Sequence, residues 1–230
     1  MTLTRGGWSR ALAAAILALI PVAAFAHDVS QADKAFVAGI DGPAFIPFLY
    51  LGAKHMVTGY DHVLFLIGVV FYLFRVKDVL LYVSVFTLGH SLTLLGGVLL
   101  GAGVNSFIVD AIIGLSVVYK GFENLGGFRR LGIAFDTRVA VLVFGLFHGL
   151  GLATKLMDLM ASQSGLLVNL IGFNLGVELG QVVVLTLVVA VLNLWRRSPG
   201  FGRGAMIANV ALIGGGLYLT GYHIGGYLGS

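Results

Sequence analysis

Residues 52–62 read GAKHMVTGYDH and lead directly into the apolar run VLFLIGVVFYLF of residues 63–74. The segment places His55, Asp61 and His62 at the edge of a hydrophobic stretch. Imidazole and carboxylate groups bind borderline divalent metals, and ionisable groups are costly inside a bilayer unless they serve a function. We therefore place a predicted metal site here and work outward from it.

The composition is that of an integral membrane protein. The 230 residues are 58% hydrophobic and only 10% charged, and several apolar runs reach the ~20 residues that a bilayer-spanning helix needs. The net charge of +4 comes from residues in short loops, where basic groups set membrane orientation, so we do not expect nucleic-acid binding. The absence of cysteine excludes disulfides and thiolate metal sites.

The predicted fold is all-α and polytopic. Residues 1–26 are typical of a cleavable signal peptide, with Arg5 and Arg10 before an apolar core and a small-x-small site at 24–26; an uncleaved first helix is the alternative. Residues 27–44 would be a short periplasmic segment, and residues 45–230 a transmembrane domain. Its six predicted spans are 47–74, 79–100, 104–124, 139–157, 166–195 and 205–228. Gly59 is a candidate position for a break in the first span.

The basic residues predict the orientation of these spans. Cytoplasmic loops carry an excess of lysine and arginine, and the loops after the first, third and fifth predicted spans are the basic ones. They hold Arg75, Lys77, Arg129, Arg130, Arg138, Arg196, Arg197 and Arg203, whereas the opposite loops hold Lys155, with Lys34 and Lys54 in or near the N-terminal segment. We predict a multi-pass protein of the bacterial inner membrane with both termini in the periplasm.

Polar residues within the predicted spans converge at similar depth. His62, His90, His148 and Glu178 all fall near the middle of their helices. Any one such group could serve only as a helix–helix hydrogen bond, but together they favour a cation path. The additional path residues that we predict are Thr87 beside His90, Asp110 and Glu123 near the outer and inner ends of the third span, and Asn174 and Gln181 on the face of Glu178.

Two other features of these spans are interpreted as structural. Gly172, Gly176 and Gly180 repeat every four residues on roughly the opposite face of the fifth span, which predicts close packing on a neighbouring helix. His223, in the glycine-rich sixth span, is interpreted as incidental.

The spacing of the first two histidines limits what they can do. His55 and His62 are seven residues apart, so in a continuous helix they would share a face but lie about 10 Å apart along the axis. One metal ion with nitrogen ligands at about 2 Å cannot reach both. Either the helix unwinds at Gly59, or the histidines form successive sites along a path. In a further alternative Asp61 only orients His62.

Five blocks of sequence, in order along the chain, carry a resemblance to a known family. They are residues 55–66, 86–94 (FTLGHSLTL), 118–125 (VYKGFENL), 144–151 (FGLFHGLG) and 173–181 (FNLGVELGQ). The chain resembles the HupE/UreJ proteins, hydrogenase and urease accessory membrane proteins regarded as nickel or cobalt permeases. The resemblance implies a signal peptide followed by six spans.

The resemblance also implies roles for individual residues. The metal-handling signature falls on His55, Asp61 and His62, and the family's other polar blocks fall on His90, Glu123, His148 and Glu178. Lys120 departs from the pattern, and we expect its side chain to reach the cytoplasmic surface.

The expected function is uptake of Ni²⁺ or Co²⁺, with Zn²⁺ also suited to such ligands. The predicted metal-handling residues are His55, Asp61, His62, His90, His148 and Glu178. We expect no enzymatic activity and no permanently bound cofactor. The expected partners are the metal ion and the lipid bilayer, not nucleic acid, and the sequence is compatible with a homo-oligomer. The alternatives are an intramembrane metalloenzyme with a metal-bound water and a haem protein with His90 and His148 as axial ligands.

Overall fold

The computed structural model describes residues 35–37, 39–157 and 164–230, and the regular structure within them is helical. The predicted signal peptide lies outside the described residues. The main helices are α1 Phe45–Thr58, α2 Tyr60–Val70, α3 Val76–Leu100, α4 Ser106–Asn124, α5 Gly127–Arg130, α6 Thr137–Met157, α7 Leu166–Arg196 and α8 Phe201–Gly229.

The helices have the length and surface of a membrane protein. Four of them, α3, α6, α7 and α8, are long and apolar enough to cross a bilayer. Leu88 and Leu92 of α3 are each 64% exposed, and Leu187 of α7 is 63% exposed, whereas His90 is 2% exposed. Apolar side chains outside and polar side chains inside are the arrangement that a lipid solvent favours. The predicted all-α membrane fold is therefore confirmed at this level.

The other predicted spans are helical but less regular. The first is split into α1 and the shorter apolar helix α2. The third corresponds to α4, which is 19 residues long and carries three charged residues: Asp110, Lys120 and Glu123.

Three pairs of helices form most of the bundle: α1 with α7, α3 with α6, and α4 with α8. Glycine permits the close approach in each pair. A Cβ atom on Gly176 would lie 2.0 Å from the Leu49 carbonyl oxygen, one on Gly149 would lie 2.1 Å from the His90 carbonyl oxygen, and one on Gly216 would lie 2.7 Å from the Gly114 carbonyl oxygen. The predicted packing of Gly172, Gly176 and Gly180 is confirmed, since all three contact α1.

The first helix breaks at Gly59. This residue has φ −74° and ψ 89°, and that ψ is far from the α-helical value. Its N–H still donates to the His55 carbonyl oxygen at 2.7 Å, and its own carbonyl accepts from Val63 at 3.0 Å. The chain therefore makes one compact turn between α1 and α2, which is the first of the two arrangements that the histidine spacing allowed.

Arg196, in the last turn of α7, holds the far end of α2. Its Nη2 donates to the Val70 and Phe71 carbonyl oxygens at 2.8 and 2.6 Å, and its guanidinium lies 4.4 Å from the centre of the Phe74 ring. The last carbonyls of a helix have no partner within that helix. Arg196 of α7 supplies a hydrogen-bond partner for the last carbonyls of α2. The helix α1 packs along the other half of α7.

We expect the substitution Gly149→Ala to destabilise the protein by about 1–3 kcal/mol, because the added methyl group would overlap the His90 backbone between α3 and α6. Gly96→Ala, in α3, is the control, since nothing lies within 4 Å of its Cβ position. The stability of the two variants is compared by heating them in detergent and measuring the remaining folded protein by size-exclusion chromatography. Equal stability of the two variants would contradict the described packing of α3 on α6.

Candidate metal site

Four histidine side chains from four helices meet beside the break at Gly59. The ring centre of His62 lies 5.3 Å from that of His55, 5.9 Å from that of His90 and 4.6 Å from that of His148. His62, His90 and His148 are at most 3% exposed. His62 is the central member, and the four residues are called the histidine cluster below.

The separations of these rings suit a shared ion, but their nitrogen atoms do not yet converge on one. Two imidazoles bound to the same ion at about 2 Å and a tetrahedral angle have ring centres about 5 Å apart. The His55–His62 and His62–His148 separations are close to that value. Within residues 35–37, 39–157 and 164–230, however, no group of three His, Asp or Glu side chains stands in metal-coordinating geometry. Binding of one ion by the cluster requires rotation of the rings.

Asp61 orients the central histidine. Its Oδ1 lies 3.0 Å from His62 Nδ1, and both side chains are buried. A carboxylate in this position accepts a hydrogen bond from Nδ1–H and leaves the Nε2 lone pair for a metal ion, an arrangement common around metal-binding histidines. His62 Nε2 is buried with no hydrogen-bond partner among the described residues, and so is His90 Nε2. Buried polar atoms without partners are rare and call for an explanation.

His148 is oriented by a serine of α4. Ser116 Oγ donates to the Ile113 carbonyl oxygen at 2.6 Å and lies 3.3 Å from His148 Nε2. Because the hydroxyl proton is used on the carbonyl, the serine oxygen accepts from His148 Nε2–H. This contact favours the tautomer of His148 in which Nδ1 carries the lone pair.

A small cavity of about 20 Å³ opens beside the cluster, enough for about one water molecule or one ion. Its lining comes from α1, α2, α4 and α6 and is called the histidine cavity: His55, Gly59, Asp61, His62, Asp110, Ile113, His148, Gly151, Leu152 and Lys155. His90 is not part of this lining, so the alternative of a haem bound between His90 and His148 stays a hypothesis.

Asp110 lies in the histidine cavity as one member of an ion pair. Lys155 Nζ is 3.0 Å and 2.8 Å from the two Asp110 oxygens, and His223 Nδ1 is 3.8 Å from Oδ2. The prediction placed Asp110 at an outer entrance, and it does lie near the first turn of α4, but it is 5% exposed and neutralised. His223 is 3% exposed and lies beside Asp110, and its interpretation as incidental stays a prediction.

Aromatic rings fill the bundle on the other side of the histidine cluster. The ring centre of Phe65 lies 5.2 Å from that of His148 and 5.8 Å from that of Phe144. Tyr119 continues the series, 5.2 Å from Phe144 and 4.9 Å from Phe128. This aromatic column separates the histidine cavity from a second cavity at the opposite end of α4.

The second cavity has a volume of about 450 Å³ and is called the Glu123 cavity: its lining is Glu123, Asn124, Gly126, Phe128, Arg129, Ile133, Ala134 and Phe135. Glu123 pairs with Lys120 at 2.5 Å and accepts a hydrogen bond from Thr137. Lys120 is 4% exposed. The expectation that it reaches the cytoplasmic surface was therefore wrong, because the carboxylate of Glu123, one helical turn away, provides a nearer partner.

A comparison with protein families identifies the chain. The sequence profile described as HupE / UreJ protein matches residues 31–229. The chain belongs to the HupE/UreJ family. No curated protein and no solved structure matches it. The resemblance found in the five sequence blocks is confirmed, and the family's character as membrane accessory or permease proteins agrees with the apolar helices described above.

The block of residues 173–181 does not line the histidine cavity, although the ring centre of Phe173 lies 6.1 Å from that of His55. Asn174 Nδ2 donates to Glu178 Oε1 at 3.3 Å, and Gln181 Nε2 donates to Thr87 Oγ1 at 3.2 Å. These four residues form a polar strip between α7 and α3. Glu178 does not line the histidine cavity, so its role as a metal ligand stays a prediction.

Sequence reasoning missed the two residues that complete the charge arrangement around Asp110. Lys155 was counted only as a loop residue, although a lysine on the poorly basic side of the protein was a signal. His223 was visible as a histidine in an apolar helix. Neither could be connected with Asp110 from spacing, because Asp110, Lys155 and His223 come from three different helices, α4, α6 and α8.

We expect Asp61→Asn to weaken metal binding by the purified protein about ten- to a hundredfold, because His62 would lose the carboxylate that fixes its ring and raises its basicity. Titration calorimetry with Ni²⁺ and Co²⁺ in detergent measures the affinity. Asp136→Asn, an exposed carboxylate paired with Arg138, is the control for loss of one negative charge. An affinity unchanged by Asp61→Asn would contradict the assigned role of Asp61.

Proposed function

We propose that this HupE/UreJ protein moves a divalent transition metal ion, Ni²⁺ or Co²⁺, from the periplasm across the bacterial inner membrane into the cytoplasm. The observation that carries the proposal is the break at Gly59. It places the ring centre of His55 5.3 Å from that of His62, which itself contacts two further histidines. Neutral nitrogen ligands with carboxylates and without thiolates suit Ni²⁺, Co²⁺ and Zn²⁺. The Nε2 atoms of His62 and His90 are buried and have no hydrogen-bond partner in the part of the chain that the structure describes, and a bound metal ion would account for both.

The proposed path starts in the histidine cavity. Its size admits an ion only after most of its water has been removed, and the imidazoles replace the lost water ligands. His55 and His62 receive the ion, and His90 and His148 hold it deeper in the bundle. From there it passes the aromatic column to the Glu123 cavity, where Glu123, Lys120 and Thr137 separate to release it.

The proposed topology has six spans, formed by α1–α2, α3, α4, α6, α7 and α8, with both termini in the periplasm. Arg129 lines the Glu123 cavity, and the positive-inside rule therefore assigns that cavity to the cytoplasmic side. A divalent ion moving inward gains about 4.6 kcal/mol per 100 mV of inside-negative potential. The membrane potential is thus a sufficient driving force for uptake.

We expect His62→Ala to abolish uptake of Ni²⁺ and Co²⁺ by cells that express the protein, because His62 is the central ring of the histidine cluster. Uptake of the radioactive ions, normalised to the amount of protein in the membrane, is the measurement. Thr58→Ala is the matched control, since Thr58 adjoins the break but is exposed and donates only to the Lys54 carbonyl oxygen.

Two results, one from the uptake experiment and one from dialysis of the purified protein, would count against transport through the cluster. Undiminished uptake of every tested metal by His62→Ala would remove the proposed path. A stoichiometric metal ion that stays bound to the wild-type protein through dialysis, without uptake, would favour the metalloenzyme alternative.

We also expect uptake to fall as the outside pH is lowered from about 7 to about 5, since histidine binds metal only in its neutral form and is ordinarily protonated near pH 6.5. Proteoliposomes with a fixed membrane potential separate this effect from changes in driving force. A steady rise of uptake over the same range would be inconsistent with histidine coordination as the transport step.

A further inference from the structure

The histidine cavity contains a positive charge of the protein's own. Lys155, in the last turn of α6, lines the cavity and reaches both oxygens of Asp110, at 3.0 and 2.8 Å. The lysine side chain is 21% exposed, whereas that of Asp110 is 6% exposed. The lysine side chain therefore reaches the outside of the bundle in part, whereas the carboxylate is buried.

A lysine in this position conflicts with a bound divalent cation. The cavity has room for about one ion or water molecule, and like charges separated by a few ångströms in a poorly hydrated site repel strongly. With Lys155 in place, Asp61 and Asp110 leave the cavity with one net negative charge. A divalent ion added to this set would make the cavity positive, whereas the same ion exchanged for Lys155 would make it neutral.

We propose that Lys155 is a tethered counter-ion that an incoming divalent metal ion displaces from Asp110, and that Asp110 then becomes a ligand of that ion. The inference rests on the proposed function and adds the means by which the site exchanges one cation for another. The lysine side chain has a long flexible stem and can carry its charge toward the surface while the stem stays on apolar neighbours. Asp110 is thereby kept neutralised whether or not a metal ion is present.

The surroundings of Asp110 fit this exchange. His62, whose Nε2 is buried without a hydrogen-bond partner among residues 35–37, 39–157 and 164–230, lines the same cavity. His223 lies 3.8 Å from Asp110 Oδ2, so it stays beside the carboxylate when the lysine moves away. The ion would thus find an imidazole nitrogen and a carboxylate oxygen in one cavity.

The test is metal binding by the purified full-length protein in detergent, measured calorimetrically with Co²⁺ and Ni²⁺. Lys155→Met removes the competing charge and keeps the side-chain length, so we expect affinity to rise about tenfold. Lys155→Arg keeps the charge and holds the carboxylate through two hydrogen bonds, so we expect affinity to fall at least about threefold. Lys77→Met, an exposed lysine at the other end of the bundle, is the control and should bind as the wild type does.

The outcomes separate this inference from the proposed function. A wild-type protein that binds neither metal overturns both. Binding by the wild type with unchanged affinity in both Lys155 variants overturns the counter-ion role alone. If Lys155→Met does not fold, Lys155→Arg decides, and an affinity equal to or above that of the wild type overturns the proposal. Structural damage would lower affinity in both variants, so a rise in Lys155→Met distinguishes the proposed role from a merely structural one.

Discussion

Contact between helix backbones at glycine is the constraint on which the arrangement of the histidines depends. Gly149 follows His148 in α6, and its Cα faces the backbone of His90 in α3 so closely that a methyl group would overlap the His90 carbonyl. The same contact therefore fixes both histidines relative to each other. On α1, Gly52, three residues before His55, lies against the backbone of Phe173. Without close approach at these glycines, imidazoles from four helices would not meet in one cluster.

Much of the fold could be read from the sequence, and the limits are instructive. Long apolar runs and basic loops defined the helices because length and charge are local properties. Gly59 could be named as a candidate break, since glycine readily leaves the helical conformation. The pairing of Lys120 with Glu123 was within reach as well, because residues three apart share a helix face. It was missed because a lysine was expected to seek water, and a carboxylate one turn away was not weighed as the alternative.

The rest of the site depends on how the helices rotate and pack. Asp110, Lys155 and His223 meet because three helices turn particular faces toward one another, and no spacing within a helix encodes that. Sequence reasoning grouped Glu178 with the histidines by predicted depth. Its carboxylate accepts a hydrogen bond from Asn174, and its role as a metal ligand stays a prediction, because spacing within α7 does not encode which neighbour a side chain meets.

The support of the broken first span has a mechanical consequence. A break between two helices has the form of a hinge, but α1 and α2 on either side of this break are both attached to α7. The glycines of α7 hold α1, and Arg196 at the end of α7 holds the last carbonyls of α2. Bending at Gly59 would have to pull one half away from α7. The helix α7 thus fixes the angle between α1 and α2 at the turn that brings His55 to His62. An opening motion of the bundle would have to move α1, α2 and α7 together.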